Sequence, residues 1–303
     1  LIPALRQAGA TLHTIASESG TSAAIAGSRF GFANLTSDVD AVLSDPAIDG
    51  IVILTRHDSH ASLAVRALEA GKHVFVEKPL AMTESDVDRL EVAARSTSGT
   101  LTVGFNRRFA PLTVRCQKLL AGRAGPVAIL VTINAGRVPT DHWVQDPRIG
   151  GGRLLGEACH ALDLVRALTG SPIEGLSVRT ARDSSGMTID DIALISVGFR
   201  DGSTAAIHYL ANGSRAFPKE RIECFADGKT VSIDNWRRLR SYGLGRSRIE
   251  PRRRMDKGHQ AEIDRWMAMV RGASPPPIPL DEILEVSKWA IRAAEESRLR
   301  QEV

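Results

Sequence analysis

Three places in this sequence gather residue types that can do chemistry. In the run Glu77-Lys78-Pro79-Leu80, a lysine follows a short apolar stretch. An ammonium there is either a solvated charge or a group that holds an oxygen and stabilises negative charge developing on it. A second run, Thr55-Arg56-His57-Asp58-Ser59-His60, closes another apolar stretch. His57 and His60 have the i, i+3 spacing of a metal-binding pair, but no third ligand accompanies them, so no metal is expected. The third segment carries His142, Trp143, Asp146, Gly150-Gly151-Gly152, Glu157, His160 and Asp163. Its glycines permit a turn that bulkier residues would resist. His160 and Asp163, at i, i+3, then share one face of a helix. His142 is either a substrate contact or an ordinary surface histidine.

These residues need elements to carry them. Up to about residue 105 the chain alternates between two periodicities. Strand-like runs occur at Thr11 to Ala16, Gly50 to Thr55, His73 to Val76 and Leu101 to Phe105. From Ser59 to Ala70, Ala61, Ala64, Val65 and Leu68 fall on one helical face, with Asp58 as the expected N-cap and Gly71 as the stop. Thr83-Glu84-Ser85-Asp86 reads as a capping-box-like start of another helix. Short apolar strands joined by amphipathic helices imply right-handed crossovers and a buried parallel sheet, a doubly wound α/β unit. In such a sheet, ligands bind at the C-terminal ends of the strands, where Thr55 and Lys78 fall.

From about Pro126 the texture changes. Strands are expected at Val127 to Ala135, Leu176 to Thr180, Ile192 to Phe199, Thr204 to Tyr209, Arg221 to Ala226 and Thr230 to Asp234. Asp201-Gly202 and Asp227-Gly228 are hairpin turn signals. One helix, about Glu157 to Leu168, interrupts the strands, and two more are expected at Lys257 to Arg271 and Asp281 to Leu299, separated by Pro275-Pro276-Pro277. This half reads as an α+β unit around a mostly antiparallel sheet. The expected domains are 1–122 and 123–303, with the terminal helices packing back on the first.

Composition narrows the class. The 303 residues suffice for two domains, and 43% hydrophobic with 24% charged residues is ordinary for a globular protein. A net charge of +4 says little about partners. Arg252-Arg253-Arg254 is the one basic run, and without an aromatic platform it reads as a solvated loop; no nucleic-acid partner is expected. No apolar run approaches a membrane span. Cys116, Cys159 and Cys224 form no C-x-x-C pair, so neither a disulfide framework nor structural zinc is expected, and a reducing cytoplasm is the default location.

Four segments together, in order and across nearly the whole chain, resemble the glucose-fructose oxidoreductase / inositol dehydrogenase (Gfo/Idh/MocA) family of two-domain NAD(P)-dependent enzymes. The family usually carries Thr-Pro-Asn followed by a histidine where this chain has Thr55, Arg56, His57 and His60. The resemblance implies dinucleotide contacts there, with Thr55 and His60 matching while Arg56 and His57 depart. It implies a catalytic Lys78 within Glu77-Lys78-Pro79, beside the nicotinamide; a Lys-Pro bond can turn cis at modest cost and aim the lysine. In Gly104-Phe105-Asn106-Arg107-Arg108-Phe109 it implies that Asn106 and Arg107 line the cofactor–substrate crevice. In the last segment it implies acid/base work for His160 and substrate contacts from Trp143, His142 and Asp163. The family places an Asp four residues before this histidine. Here that residue is Gly156, and Glu157, one position later, is the candidate replacement.

The implied reaction moves a hydride between a nicotinamide and a secondary alcohol or ketone of a sugar, nucleotide sugar or inositol. The alternative is a non-catalytic nucleotide-sensing protein on the same fold. Counting back from Phe30-Gly31 in the family pattern puts Ser17 at the ribose-binding position, with Glu18 adjacent. Ser17 leans slightly to NADP, while Glu18 suits the ribose hydroxyls of NAD, so the cofactor is NAD or NADP. A Rossmann-like domain opens with a strand and a G-x-G-x-x-G loop, and the sequence shows neither. The expectation is therefore an N-terminally truncated chain, part of a longer protein, with its second and fourth strands left apart. The exposed face of the second sheet is the expected homo-oligomer surface.

Overall fold

The computed structural model describes residues 1–139, 141–182, 188–245 and 248–299. The first half is parallel, as its alternating periodicities require. Strand β1 (Thr14–Ala16) pairs with β2 (Asn34–Thr36), while β3 (Gly50–Ile53), β4 (His73–Val76) and β5 (Leu101–Val103) form a second parallel sheet in that order. Among the described residues no ladder joins the two sheets. Helices α1 (Ile2–Gln7), α2 (Gly20–Phe30), α3 (Val39–Ser44), α4 (His57–Glu69) and α5 (Glu84–Ser96) surround them.

Both faces of β4 are buried, as expected of an interior parallel strand. Val74 and Val76 pack with Ala64, Val65 and Leu68 of α4 and with Val87 and Leu90 of α5. Phe75, on the other face, packs with Leu5 of α1 and with Ile263 and Trp266 of α8 (His259–Val270). The Phe75 and Trp266 rings meet edge to face at 5.7 Å. A helix from the end of the chain thus completes the core of its beginning.

Local signals hold where the chemistry is local. Thr83 caps α5 by accepting the Asp86 N–H, and Gly71, with φ +75°, follows α4. Asp58 is not the cap of α4. The helix opens earlier, with Arg56 as N-cap, because the Asp58 N–H is taken by the carbonyl of Ile149, a distant segment invisible to local reading.

After a 3-10 turn (Asn106–Phe109), α6 (Pro111–Leu120) leads into the second half. Its sheet holds β6 (Ala128–Asn134), β7 (Ile173–Arg182), β8 (Thr188–Phe199), β9 (Thr204–Leu210), β10 (Glu220–Ala226), β11 (Lys229–Asp234), β12 (Arg238–Tyr242) and β13 (Arg248–Pro251). The spatial order is β13-β12-β11-β10-β6-β9-β8-β7, antiparallel except where β6 runs parallel to β9. Asp227 and Gly228 both take positive φ in the β10–β11 hairpin, the conformation a two-residue turn of this kind demands. The inner face buries Ile129, Val131, Ile207, Ile222 and Val231 in one core with α6, α7 (Cys159–Thr169) and α9 (Leu280–Leu299). Leu130, Phe225, Tyr242 and Ile249 remain exposed.

Trp266→Ala is expected to lower unfolding stability by about 3–5 kcal/mol, since it empties the contact between α8 and β4. Ile249→Ser on the exposed edge should stay within about 0.5 kcal/mol. Denaturant unfolding of both variants checks the contrast.

Candidate active site

The ends of β3 and β4 face the start of α7 across a crevice. The Lys78–Pro79 peptide is cis. Lys78 Nζ donates to the carbonyl of Gly156 at 2.7 Å. No carboxylate lies within ion-pair distance of this ammonium among the described residues, so its charge is available to a bound oxygen. Gly156 belongs to a five-residue π-type turn, Leu154–Ala158, that runs directly into α7 and its His160. Such turns recur at functional sites.

His160 is buried, and its Nδ1 has no hydrogen-bond partner among the described residues. Burial first, then the nearby charges of Arg107, Lys78, His259 and Lys257, hold its proton affinity well below that of a free histidine. The imidazole is therefore neutral, with its lone pair free, and its protonated form is disfavoured until negative charge develops nearby. Glu157 is engaged elsewhere, with Arg153 at 3.5 Å and Lys219 at 3.7 Å. Burial works against its charge, but Lys219, Arg153 and Lys78 outweigh it and keep the carboxyl ionised.

The Thr55–His60 run divides by role. Thr55 Oγ1 accepts from Ser59, and Arg56 lies exposed over the Trp143 ring at 5.9 Å. His57 is buried, with Nδ1 2.7 Å from the Gly150 carbonyl and its ring edge-on to Trp143 at 4.9 Å. His60, for which a dinucleotide contact is expected, lies inside the turn. Its ring is 1% exposed, with nitrogens 2.7 Å from the Pro79 carbonyl and 3.0 Å from that of Thr55, so it staples the Lys78–Pro79 turn to β3.

Asn106 and Arg107, expected at the crevice, have partners within the protein. The Asn106 amide is buried and donates to the Lys257 carbonyl. Arg107 makes a two-pronged pair with Glu220 at 3.0 Å. Asp163, expected at the substrate, is fully buried and engaged by Arg108. Burial raises its proton affinity, and the Arg108 charge opposes the rise. These side chains shape the site from behind. Glu77 is half-buried and accepts the Lys78 N–H at 3.2 Å. Ser17 and Glu18 follow the end of β1, the first half-buried and the second exposed, and His142 is exposed beside Trp143.

Sequence reasoning missed Glu220, Lys257, Lys219 and Arg153. Glu220 receives Arg107, Lys257 at 2.6 Å and the Trp236 indole at 2.6 Å. Burial would raise its pKa, but Arg107 and Lys257 dominate and hold it at about 2. Arg153, 2% exposed, donates to the Gly136 carbonyl and lies 3.6 Å from Asp191. For Glu220 the available signal was a charged residue at a buried alternation position of β10. Among the described residues, no group of three His, Cys, Asp or Glu could hold a metal, and no helix is long and apolar enough to cross a membrane. The three cysteines are free and buried.

Two titrations should shape the acid side of the stability curve. Burial, with the neighbouring charges of His60 and Lys78, lowers the His57 pKa from 6.5 to about 4. The unfolded chain therefore takes up this proton first, and stability falls as pH drops from 6.5 towards 4. Glu220, at about 2 against an ordinary 4.5, adds a second fall between those values. Each step is on the order of 2–3 kcal/mol. Urea unfolding against pH should show both falls, and His57→Asn should reduce the upper one without abolishing it, because His160 and His259 are lowered from the same starting value.

Comparison with known proteins matches this architecture along its length. Residues 2–105 match a family profile described as "Oxidoreductase family, NAD-binding Rossmann fold", and residues 115–232 match the "GFO/IDH/MocA C-terminal domain". A 1,5-anhydro-D-fructose reductase of Ensifer adhaerens is 29% identical over 69% of this chain and 64% of its own length. A myo-inositol 2-dehydrogenase of Thermotoga maritima is 27% identical over 69% of this chain and 63% of its own. The chain thus spans less than two thirds of these relatives. A levoglucosan dehydrogenase solved with NADH and levoglucosan shares the fold, with a TM-score of 0.80 at 22% identity over 95% of this chain and 89% of that one.

Proposed function

The chain belongs to the Gfo/Idh/MocA oxidoreductase family, and from that premise we propose that it exchanges a hydride between NAD(P) and a secondary alcohol or ketone of a sugar, nucleotide sugar or inositol. The observation that carries this reading is the Lys78 ammonium, held by the Gly156 carbonyl and with no carboxylate paired to it among the described residues, at the turn that leads into His160. Sugar and cyclitol substrates in the names of the relatives support it.

The donor set at the strand ends suits a nicotinamide dinucleotide. Ser17 and Glu18 offer a hydroxyl and a carboxylate for a ribose, while Thr55, Arg56, Glu77 and Pro79 border the nicotinamide end. The cofactor, when bound, supplies the hydride acceptor or donor. Ser17 leaves room for a 2′-phosphate, a slight lean to NADP.

Lys78 holds the reacting oxygen and stabilises its negative charge as the O–H bond breaks. The same positive surroundings that keep His160 neutral favour the alkoxide beside it. His160 accepts the hydroxyl proton in oxidation and returns it in reduction. Glu157, tied to Arg153 and Lys219, sets the field of the site rather than orienting His160. Trp143 and His142 form the outer wall on the substrate side. The exposed sheet face bearing Leu130, Phe225, Tyr242 and Ile249 is the surface for a homo-oligomer.

One observation favours a nucleotide-sensing protein without turnover: the orphaned His160 Nδ1, which leaves the imidazole without a partner to fix its tautomer among the described residues. Incubation with NAD⁺ or NADP⁺ and a panel of polyols separates the readings. Reduced cofactor should appear, and Lys78→Ala and His160→Ala should each lower turnover by about 100-fold or more. Binding without turnover would support the sensor instead.

A further inference from the structure

Beside Lys78, one ring is packed so that position 156 has no room for a side chain. A Cβ placed on Gly156 would lie 2.9 Å from His57 Cε1 and 3.7 Å from its Nδ1. Glycine is thus required at 156 by the imidazole that bears on it. That imidazole cannot retreat easily, since Nδ1 is bonded to the Gly150 carbonyl at 2.7 Å and the ring stands edge-on to Trp143. On its other side, the Gly156 peptide presents its carbonyl to Lys78 Nζ at 2.7 Å. The segment from Gly150 to Gly156 is therefore fastened to the ring at one end and has the same ring filling the side-chain space at the other.

We infer that His57 is a positioning residue for Lys78: by holding the Gly150 carbonyl and bearing on Gly156, it fixes the acceptor that aims the lysine ammonium. The inference rests on the reading of Lys78 as the group that holds the substrate oxygen. A carbonyl only accepts, so the proton of the His57 ring sits on Nδ1. Burial lowers the proton affinity of the ring more than its bond to the Gly150 carbonyl raises it, and His60 and Lys78 add to the lowering, so it adds no cation beside the ammonium it serves. A flat ring suits this role, because it donates from one atom while the adjacent C–H lies against a glycine. Neither an aliphatic side chain nor a longer cation does both.

The test uses His57→Ala, His57→Asn, Gly156→Ala and the double variant His57→Ala/Gly156→Ala in the whole chain. Asn is chosen because its amide can occupy the place of Nδ1 and still donate to Gly150. His57→Ala is expected to lower kcat about 10- to 100-fold with little change in KM, the range seen when an outer partner of a working group is removed. His57→Asn should recover most of that loss. Gly156→Ala should be damaging alone yet add little in the His57→Ala background, because the steric conflict is gone.

The second readout needs no turnover. The pH dependence of Lys78 acylation by acetic anhydride, followed by mass spectrometry, should shift in His57→Ala and return in His57→Asn. An unchanged acylation profile in His57→Ala, or additive losses in the double variant, would overturn the inference. A shifted profile in a chain that turns over no polyol supports the positioning role while removing the proposed reaction.

Discussion

Two neighbouring guanidinium groups are mostly withdrawn from water here, and each finds a carboxylate, because a charge taken out of water without a partner costs several kcal/mol. Arg107 turns to the large sheet, where Glu220 receives it with both oxygens. Arg108 turns the other way, to Asp163 on α7 and Glu282 on α9. The 3-10 turn carrying both is thereby pinned between the sheet and the helices. Because Asp163 and His160 share α7, the Arg108–Asp163 pair fixes the rotation of that helix and with it the direction of His160. Glu220 does the same for the loop before α8, through Lys257. Removing one partner would leave the other as an uncompensated buried charge, so the geometry resists small drifts.

The electrostatic character of the crevice follows from the same residues. Lys78, Arg107 and Lys257 act on His160, while Lys78, Arg153 and Lys219 act on Glu157. Arg107 and Lys257 are paired with Glu220 in the sheet, Arg153 and Lys219 with Glu157, and the Lys78 ammonium has no carboxylate among the described residues. Such a field suits an oxygen that gains negative charge and an imidazole that must start neutral. Positioning and chemistry are served by one set of ion pairs.

What the sequence revealed depended on whether the cause was local. The Glu77-Lys78-Pro79 turn, the Thr83 cap and the Asp227-Gly228 hairpin could be read because each is decided within a few residues. The pair β12–β13 could not, since its strands are short and rich in arginine: Arg238 and Arg240 alternate with Leu239 and Ser241 in a strand of five residues. The Arg252-Arg253-Arg254 run is exposed, in keeping with its reading as a solvated loop. Asn106, Arg107 and Asp163 lie around the site, but their neighbours differ from those the family pattern implies. Their partners Lys257, Glu220 and Arg108 come from other segments, and nothing in local periodicity indicates which buried charges will meet. The neighbours of His60 are of the same kind, the carbonyls of Pro79 and Thr55 lying 2.7 and 3.0 Å from its ring nitrogens.

Where the family pattern has a proline-asparagine pair and an aspartate, this chain has Arg56-His57 and Gly156. In sequence these are unrelated departures, a hundred residues apart, and each on its own weakens the case for a working site. In space they are a single arrangement. His57 occupies the volume that any side chain at 156 would need, and Arg56 covers the Trp143 ring against which His57 stands. The same ring is hydrogen-bonded to the Gly150 carbonyl, six residues earlier in the same loop. Packing density makes this a strong constraint, because interiors leave few gaps and an unfilled one is destabilising. The two substitutions therefore read as a rebuilt support for Lys78, and the lysine remains the residue around which the crevice is organised.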